Sequence, residues 1–266
     1  MTGSVSARRR VVVVADSLAF VGPRLAHPTD HPALWPNVMG RALDVDVEVF
    51  GGYAWTARHG WYALGHDPRL WTALGGADAV VLALGQFDTV PAPLPNFLWK
   101  AIPMIRSPRR RRWARGIHGR AVPLLSRIFA HLPGGGPVSL RPAHTVHYLR
   151  RSVRLVRHRC GRVPVLGMTP ITARPKIFGG VHAGHVAADR AMRAWGAEDG
   201  IPLLDFAEVA GPHILSEQAH PDGMHMGWEG HALTGEAMAK LLGELLDEHR
   251  VDRPVYSMRD RRRAAP

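Results

Sequence analysis

Three short stretches carry the side chains that nucleophilic catalysis needs. The first is Ala15-Asp16-Ser17-Leu18, directly after the apolar run Val11 to Val14. A serine at the turn between a strand and the next helix points its hydroxyl into a cleft, with backbone N–H groups at hand for an oxyanion. Serine is a weak nucleophile until a base accepts its proton. The second stretch, His220-Pro221-Asp222-Gly223-Met224-His225, sets a carboxylate three residues before an imidazole. That spacing lets Asp222 hold one ring nitrogen of His225 while the other faces the serine. The third, Gly85-Gln86-Phe87-Asp88, also closes an apolar run. Gly85 permits a close backbone approach, Gln86 can donate a side-chain hydrogen bond to an oxyanion, and Asp88 is expected to shape the loop. Together they predict Ser17 as nucleophile, Asp222 as orienting acid and His225 as general base.

The elements that must position these residues follow from the apolar pattern. Arg10–Val14 is a β-branched run without alternation, as in a strand buried on both faces. Further strands are predicted over Val45–Phe50, Ala77–Leu84, Arg162–Met168 and Ile201–Phe206. Helices are predicted over Leu34–Leu43, His144–Cys160, Gly184–Glu198 and Trp228–His249. Strands alternating with helices imply a parallel sheet covered on both sides, with functional loops beyond the strands' carboxyl ends. The expected fold is therefore α/β, a flavodoxin-like three-layer α/β/α sandwich. Its catalytic domain spans residues 10–250, between a short N-terminal tail (1–9) and a basic C-terminal tail (251–266). Pro91 to Gly136 breaks the rhythm with seven prolines, an arginine run and the triplet Gly134-Gly135-Gly136. Its aliphatic and aromatic content favours an inserted lid over a disordered connection.

Charge is distributed unevenly. From Thr89 to Ala188 there is no Asp or Glu but eighteen Lys or Arg, whereas the rest holds sixteen basic and twenty-two acidic residues. The segment thus carries the whole positive excess, so an anionic partner or substrate would relieve its self-repulsion. A solvated basic surface is the plainer account. The single cysteine, Cys160, excludes an internal disulfide, and no run reaches about 18 apolar residues. A cytoplasmic protein without stable membrane insertion is expected. The histidines, His182, His185, His213 and His231 among them, lack metal-ligand spacing, so no metal is expected. Trp35, Trp55, Trp61 and Trp71 are expected as core or rim packing.

The order Asp16-Ser17, Gly51-Gly52, Gly85-x-x-Asp88, Asp222-x-x-His225 resembles the SGNH (GDSL) hydrolase family, from Val11 to about Leu245. That family carries G-D-S, a glycine after the second strand, G-x-N-D and D-x-x-H. The resemblance implies the SGNH hydrolase fold, the roles given above for Ser17, Asp222 and His225, and loop-shaping roles for Asp16, Gly85 and Asp88. Its oxyanion donors would be the backbone at Ser17 and at Gly52, with Gln86. Three departures stand out. Ala15 replaces a glycine. The second-block glycine falls on Gly51, Gly52 or the position of Ala54. Phe87 stands where asparagine is expected, removing a donor worth about 3 kcal/mol in comparable sites.

Within the family, Ala15–Pro23, Leu34-Trp35-Pro36-Asn37 and Gly85–Thr89 resemble the diglucosylglycerate octanoyltransferases of methylglucose lipopolysaccharide biosynthesis. This implies ping-pong transfer of an octanoyl group from acyl-CoA, as co-substrate, to a sugar hydroxyl of a glucosylglycerate-type acceptor. Arg109 to Arg112, with Arg115, would then meet the CoA phosphates. Leu94, Phe97, Leu98 and Trp99 would line the acyl tunnel. The alternatives are an esterase that uses water and a silent module that binds anionic polymers. Small-molecule partners, without nucleic acid, are expected; the oligomeric state is left open.

Overall fold

Val11, Val12, Val13 and Val14 are all fully buried, because β1 (Arg10–Asp16) is an inner strand with a layer of helices on each face. The structure is a computed structural model that describes residues 8–95, 98, 101–216 and 218–251. Phe97, Trp99 and most of both tails lie outside the described residues. Around β1 stand β2 (Asp46–Gly52), β3 (Ala79–Ala83), β4 (Val165–Met168) and β5 (Leu203–Leu204), in the order β2-β1-β3-β4-β5. All neighbouring pairs are parallel, and Ala15 lies opposite both Gly51 and Ala83.

The helices, in chain order, are α1 (Trp35–Leu43), α2 (Ala57–His66), α3 (Pro68–Leu74), α4 (Pro108–Phe129), α5 (Pro142–Cys160), α6 (His185–Asp199), α7 (Phe206–Ile214) and α8 (Trp228–Val251). Val11, Val13 and Ala15 pack against Trp35 and Met39 of α1, Phe206 of α7, and Met238 and Leu242 of α8. Val12 and Val14 face the other core, with Leu64, Leu70, Leu149 and Trp195 from α2, α3, α5 and α6. Each such side chain contributes about 1.5–3 kcal/mol on burial. The two β1 faces thus hold the three layers together. After β1 the chain crosses to one face, and after β2 to the other. The sheet order therefore reverses between β1 and β3, which opens a crevice at their carboxyl ends.

Two expectations are corrected in detail. The strand expected over Ile201–Phe206 shrinks to two residues, because the Asp205 side chain accepts from the Glu208 N–H (3.1 Å) and starts α7 at Phe206. Two helices beyond those expected, α2 and α3, follow β2. Thr56 and His59 form a capping box ahead of α2, and Asp67 caps α3 with Pro68 in its first turn.

The insert between β3 and α5 is closed at its base. Pro91 and Val138 form an antiparallel bridge, and the Ala92 N–H donates to the Pro137 carbonyl (2.8 Å). Its proline-rich sequence conceals a 22-residue helix, α4. Pro108 sits at its first turn behind the Ser107 cap, where a missing N–H costs nothing. α4 packs on the turn Lys176–Phe178, and the Arg127 Nε–H donates to the Gly179 carbonyl (3.0 Å).

Candidate active site

Ser17 is the first residue beyond β1, in a single turn of 3-10 helix, Ser17–Ala19. The Asp16 side chain accepts from the Leu18 N–H (3.0 Å), and the Ser17 carbonyl accepts from the N–H groups of Phe20 (3.1 Å) and Val21 (2.9 Å). The turn is thereby fixed with the serine hydroxyl at the mouth of the β1–β3 crevice.

The partner loop runs from α7 to α8. Gly223 has φ +76°, and a Cβ there would collide with the Arg174 carbonyl. The Arg174 N–H donates to the Gly223 carbonyl (2.9 Å) and the Lys176 N–H to that of Asp222 (2.8 Å). Two histidines anchor the start of α8. His213 Nε2 accepts from the Gly227 N–H (3.0 Å). His231 Nδ1 accepts from the Trp35 N–H (3.2 Å), so its Nε2 must carry the proton donated to the Val21 carbonyl (3.0 Å). Burial lowers the His231 pKa to about 4, which keeps the ring neutral.

This framework brings the ends of the chain together. Ser17 Oγ lies 2.9 Å from His225 Nε2, and His225 Nδ1 lies 2.6 Å from Asp222 Oδ2. Asp222 Oδ1 accepts from the N–H groups of Met224 (2.9 Å) and His225 (3.1 Å). Burial alone would raise the Asp222 pKa, but the hydrogen bond and charge of His225 and the two backbone donors hold it far below the carboxylate range. An ionised carboxylate only accepts, so Nδ1 carries the ring proton. Nε2 is left with its lone pair towards the Ser17 hydroxyl. Both Ser17 and His225 are buried. The arrangement can pass the serine proton to the imidazole as Oγ attacks a carbonyl.

Among the described residues, one grouping is close enough to hold a cation: His220, Asp222 and His225, with ligand atoms within 4.8 Å of one another. Two of its members, however, are already hydrogen-bonded to each other.

The cavity beside Ser17 has a volume of about 10 Å³, room for about one water, among Gln86, Phe87, Ile171, His182 and Met224. The Gln86 Oε1 accepts from the Ile171 N–H (2.9 Å). A backbone N–H can only donate, so this bond fixes the amide orientation. Nε2 is buried without a hydrogen-bond partner. Gln86 thus holds a free donor in the position next to the one that Phe87 left without an amide.

His182, one of the histidines without metal-ligand spacing, lines the same cavity. Thr89 Oγ1 donates to the Gln86 carbonyl (2.7 Å) and lies 2.5 Å from His182 Nε2. The hydroxyl has one proton, so Nε2–H must be the donor to Thr89. Nδ1 then bears a lone pair and is buried without a partner. Burial, with His185 nearby, lowers the His182 pKa to about 4, so the ring is neutral. No sequence spacing signals this residue; its place depends on the loop after β4.

Gly85 has φ +104°, a conformation that favours glycine, and a Cβ there would press on Met192 Sδ. Asp88 Oδ1 accepts from the Ala57 N–H (3.0 Å) at the start of α2, and Oδ2 from the Thr145 hydroxyl (2.7 Å) in α5. Burial raises the Asp88 pKa to about 7, and burial with the charge of Asp88 does the same for Asp16.

Gly52 ends β2 opposite Asp16, one residue before Ser17, and is not among the residues lining the small cavity. Ala54, the third alternative for the second-block glycine, has φ +55°. That conformation costs a side-chain-bearing residue about 1–2 kcal/mol. Leu94 is half-buried in the insert, while Arg109 and Arg112 are exposed on the first turns of α4. None of these three is among the residues that line the cavity.

Residues 16–233 match the GDSL-like Lipase/Acylhydrolase family. The chain is 35% identical over 237 residues to a diglucosylglycerate octanoyltransferase of Mycolicibacterium hassiacum, covering 89% of this chain and 96% of the relative. It is 33% identical over 237 residues to a diglucosylglycerate octanoyltransferase of Mycobacterium tuberculosis, covering 89% and 93%. The lipase/acylhydrolase structure from Enterococcus faecalis superposes with a TM-score of 0.56 at 16% identity, over 89% of this chain and 97% of that one.

Proposed function

This chain belongs to the GDSL-like lipase/acylhydrolase family and is an enzyme of it, and from that premise we propose that it is a serine acyltransferase. The proposed reaction moves a medium-chain group, octanoyl, from acyl-CoA to a sugar hydroxyl of a glucosylglycerate-type acceptor. The single observation that carries it is the unbroken line Asp222–His225–Ser17, with contacts of 2.6 and 2.9 Å. The two octanoyltransferase relatives supply the acyl group and the acceptor class.

His225 Nε2 takes the Ser17 proton as Oγ attacks the thioester carbonyl. The oxyanion receives the Gln86 Nε2–H and backbone N–H groups, Ser17 and Gly52 being the expected ones. As the intermediate collapses, the C–S bond breaks and CoA leaves as a thiol with the proton from His225. The acceptor hydroxyl then gives its proton to His225 as its oxygen attacks the acyl carbonyl. Oγ regains that proton on leaving. His182 Nδ1 offers a lone pair to a second hydroxyl of the acceptor.

In this reading residues 10–250 form the catalytic domain, the segments outside it are tails, and the insert of about residues 91–136 is a basic lid. Support for the lid is its contact with Lys176–Phe178, next to the strand-like pairing that holds the Asp222 loop. Opening would make room for the acyl chain, bring Leu94 and Leu98 to it, and set Arg109 and Arg112 towards the CoA phosphates. A CoA donor and the lone cysteine fit a cytoplasmic setting.

A second reading is hydrolysis, and the one-water cavity beside Ser17 favours it. Intact-protein mass spectrometry after exposure to octanoyl-CoA tests the acyl-enzyme. An adduct on the wild type that Ser17→Ala lacks is expected; full activity in Ser17→Ala would overturn the scheme. Free octanoate formed regardless of a glucosylglycerate acceptor would decide for hydrolysis.

A further inference from the structure

The inner face of α4 carries its buried residues, Val122 and Ser126. Its outer face is apolar and bare. Trp113 is 70% exposed, Ile117 47%, Leu124 59% and Ile128 52%. Spacings of four, seven and four residues put them in one line along the 22-residue helix. Met104 (82% exposed), just before α4, and Leu132 (50%), just after it, are bare as well. A lid needs an apolar inner face; nothing in that role requires an apolar outer one. Monomeric proteins rarely leave such a stripe uncovered.

Charge narrows the choice of cover. Arg120 and Arg127 run along the edge of the stripe, seven residues apart and both exposed. No Asp or Glu occurs anywhere from Thr89 to Ala188. A second copy meeting this face by two-fold symmetry would set arginines against arginines. The occupant must be apolar within and negative at its rim. A bilayer surface with anionic headgroups has that profile. Isoleucine and leucine enter the acyl boundary, tryptophan sits at headgroup level, and arginine stems reach back to the phosphates. We propose that the outer face of α4 is a docking surface for an anionic membrane, on which the protein lies without crossing it. No helix among the described residues is long and apolar enough to span. The inference rests on the outer face alone and stands or falls apart from the chemistry at Ser17.

The test is co-sedimentation of the full chain with vesicles of phosphatidylcholine alone or of phosphatidylcholine with phosphatidylglycerol. Binding to the anionic vesicles only, weakening with salt, is expected. The basic tail would contribute to it, so the apolar stripe needs its own variant. Trp113→Ser with Leu124→Ser should lower the affinity at least about tenfold while melting like the wild type. Equal sedimentation with both vesicle types overturns the proposal, as does a double variant that binds like the wild type. So does light scattering that finds a wild-type dimer which the double variant dissociates, or an acidic protein that binds the stripe while the vesicles do not.

Discussion

Gln86→Met should cut kcat by about 10²–10³-fold and leave KM nearly unchanged. Gln86 is 3% exposed, and its Oε1 is committed to the Ile171 N–H at 2.9 Å. Only Nε2 remains to meet a developing charge, and it has no ground-state partner to give up. A donor that waits unpartnered contributes only when the oxyanion forms, so its loss falls on the transition state, at about 2.7–4 kcal/mol. Methionine keeps the bulk and removes the donor. It also strands the Ile171 N–H, at about 1–3 kcal/mol of stability. The melting temperature should therefore fall together with kcat, and the two losses must be separated. Gln86→Ala strands the same N–H and adds a cavity. It should be the less stable variant with a similar kcat. The assay is CoA thiol release from octanoyl-CoA under saturating donor, run well below the melting point of each variant. A Gln86→Met enzyme with wild-type kcat would refute the reasoning, and the oxyanion would then depend on backbone donors alone.

Asp222→Asn should lower kcat by about 10⁴-fold without unfolding, because an amide can donate to Nδ1 and so move the ring proton to Nε2, facing Ser17; activity within tenfold of wild type would remove Asp222 from that role. Asp88→Asn should gain melting temperature relative to the wild type as pH rises. The folded Asp88 pKa is about 7 against a reference of 3.8, so the wild type is favoured by neutral Asp88 below 3.8 and loses that contribution as pH rises to about 7. Asparagine does not titrate, so the difference should widen across that window, by up to a few kcal/mol, and flatten above it; a pH-independent difference would contradict the raised pKa.

The parts of the fold that were legible in the sequence are those where one physical requirement dominates. Val11–Val14 had to be buried on both faces, and so it had to be a central strand. The Asp222-x-x-His225 spacing could place a carboxylate against a ring nitrogen, and the contact is 2.6 Å. The obscured parts depend on two requirements at once. Pro108 and Pro123 read as breakers, yet Pro108 sits in a first turn where its missing N–H is no loss, and a helix runs through Pro123. Asp205 reads as a strand residue after Leu203-Leu204 until its side chain is seen to cap α7. His182 is the plainest case. Its neighbours in the sequence say nothing of Thr89 or Gln86, which lie more than ninety residues earlier and meet it only through the order of β3 and β4 in the sheet.

One buried side chain links these features. Asp88 is wholly buried, which by itself makes a carboxylate costly. It accepts from the Ala57 N–H and the Thr145 hydroxyl, each in the first turn of a helix whose N-terminal dipole favours negative charge. The loop after β3 is thereby pinned to α2 and α5 at once. Two residues before Asp88 stands Gln86, and one residue after it stands Thr89, which fixes the tautomer of His182. The direction of the free amide donor and the side on which the imidazole lone pair lies are set by the same anchored turn. The residue that the family pattern marks as the last of its third block is thus tied to two helices through both of its oxygens. Its raised pKa reflects the cost of burying that anchor, beside which Gln86 Nε2 and His182 Nδ1 are both left without partners.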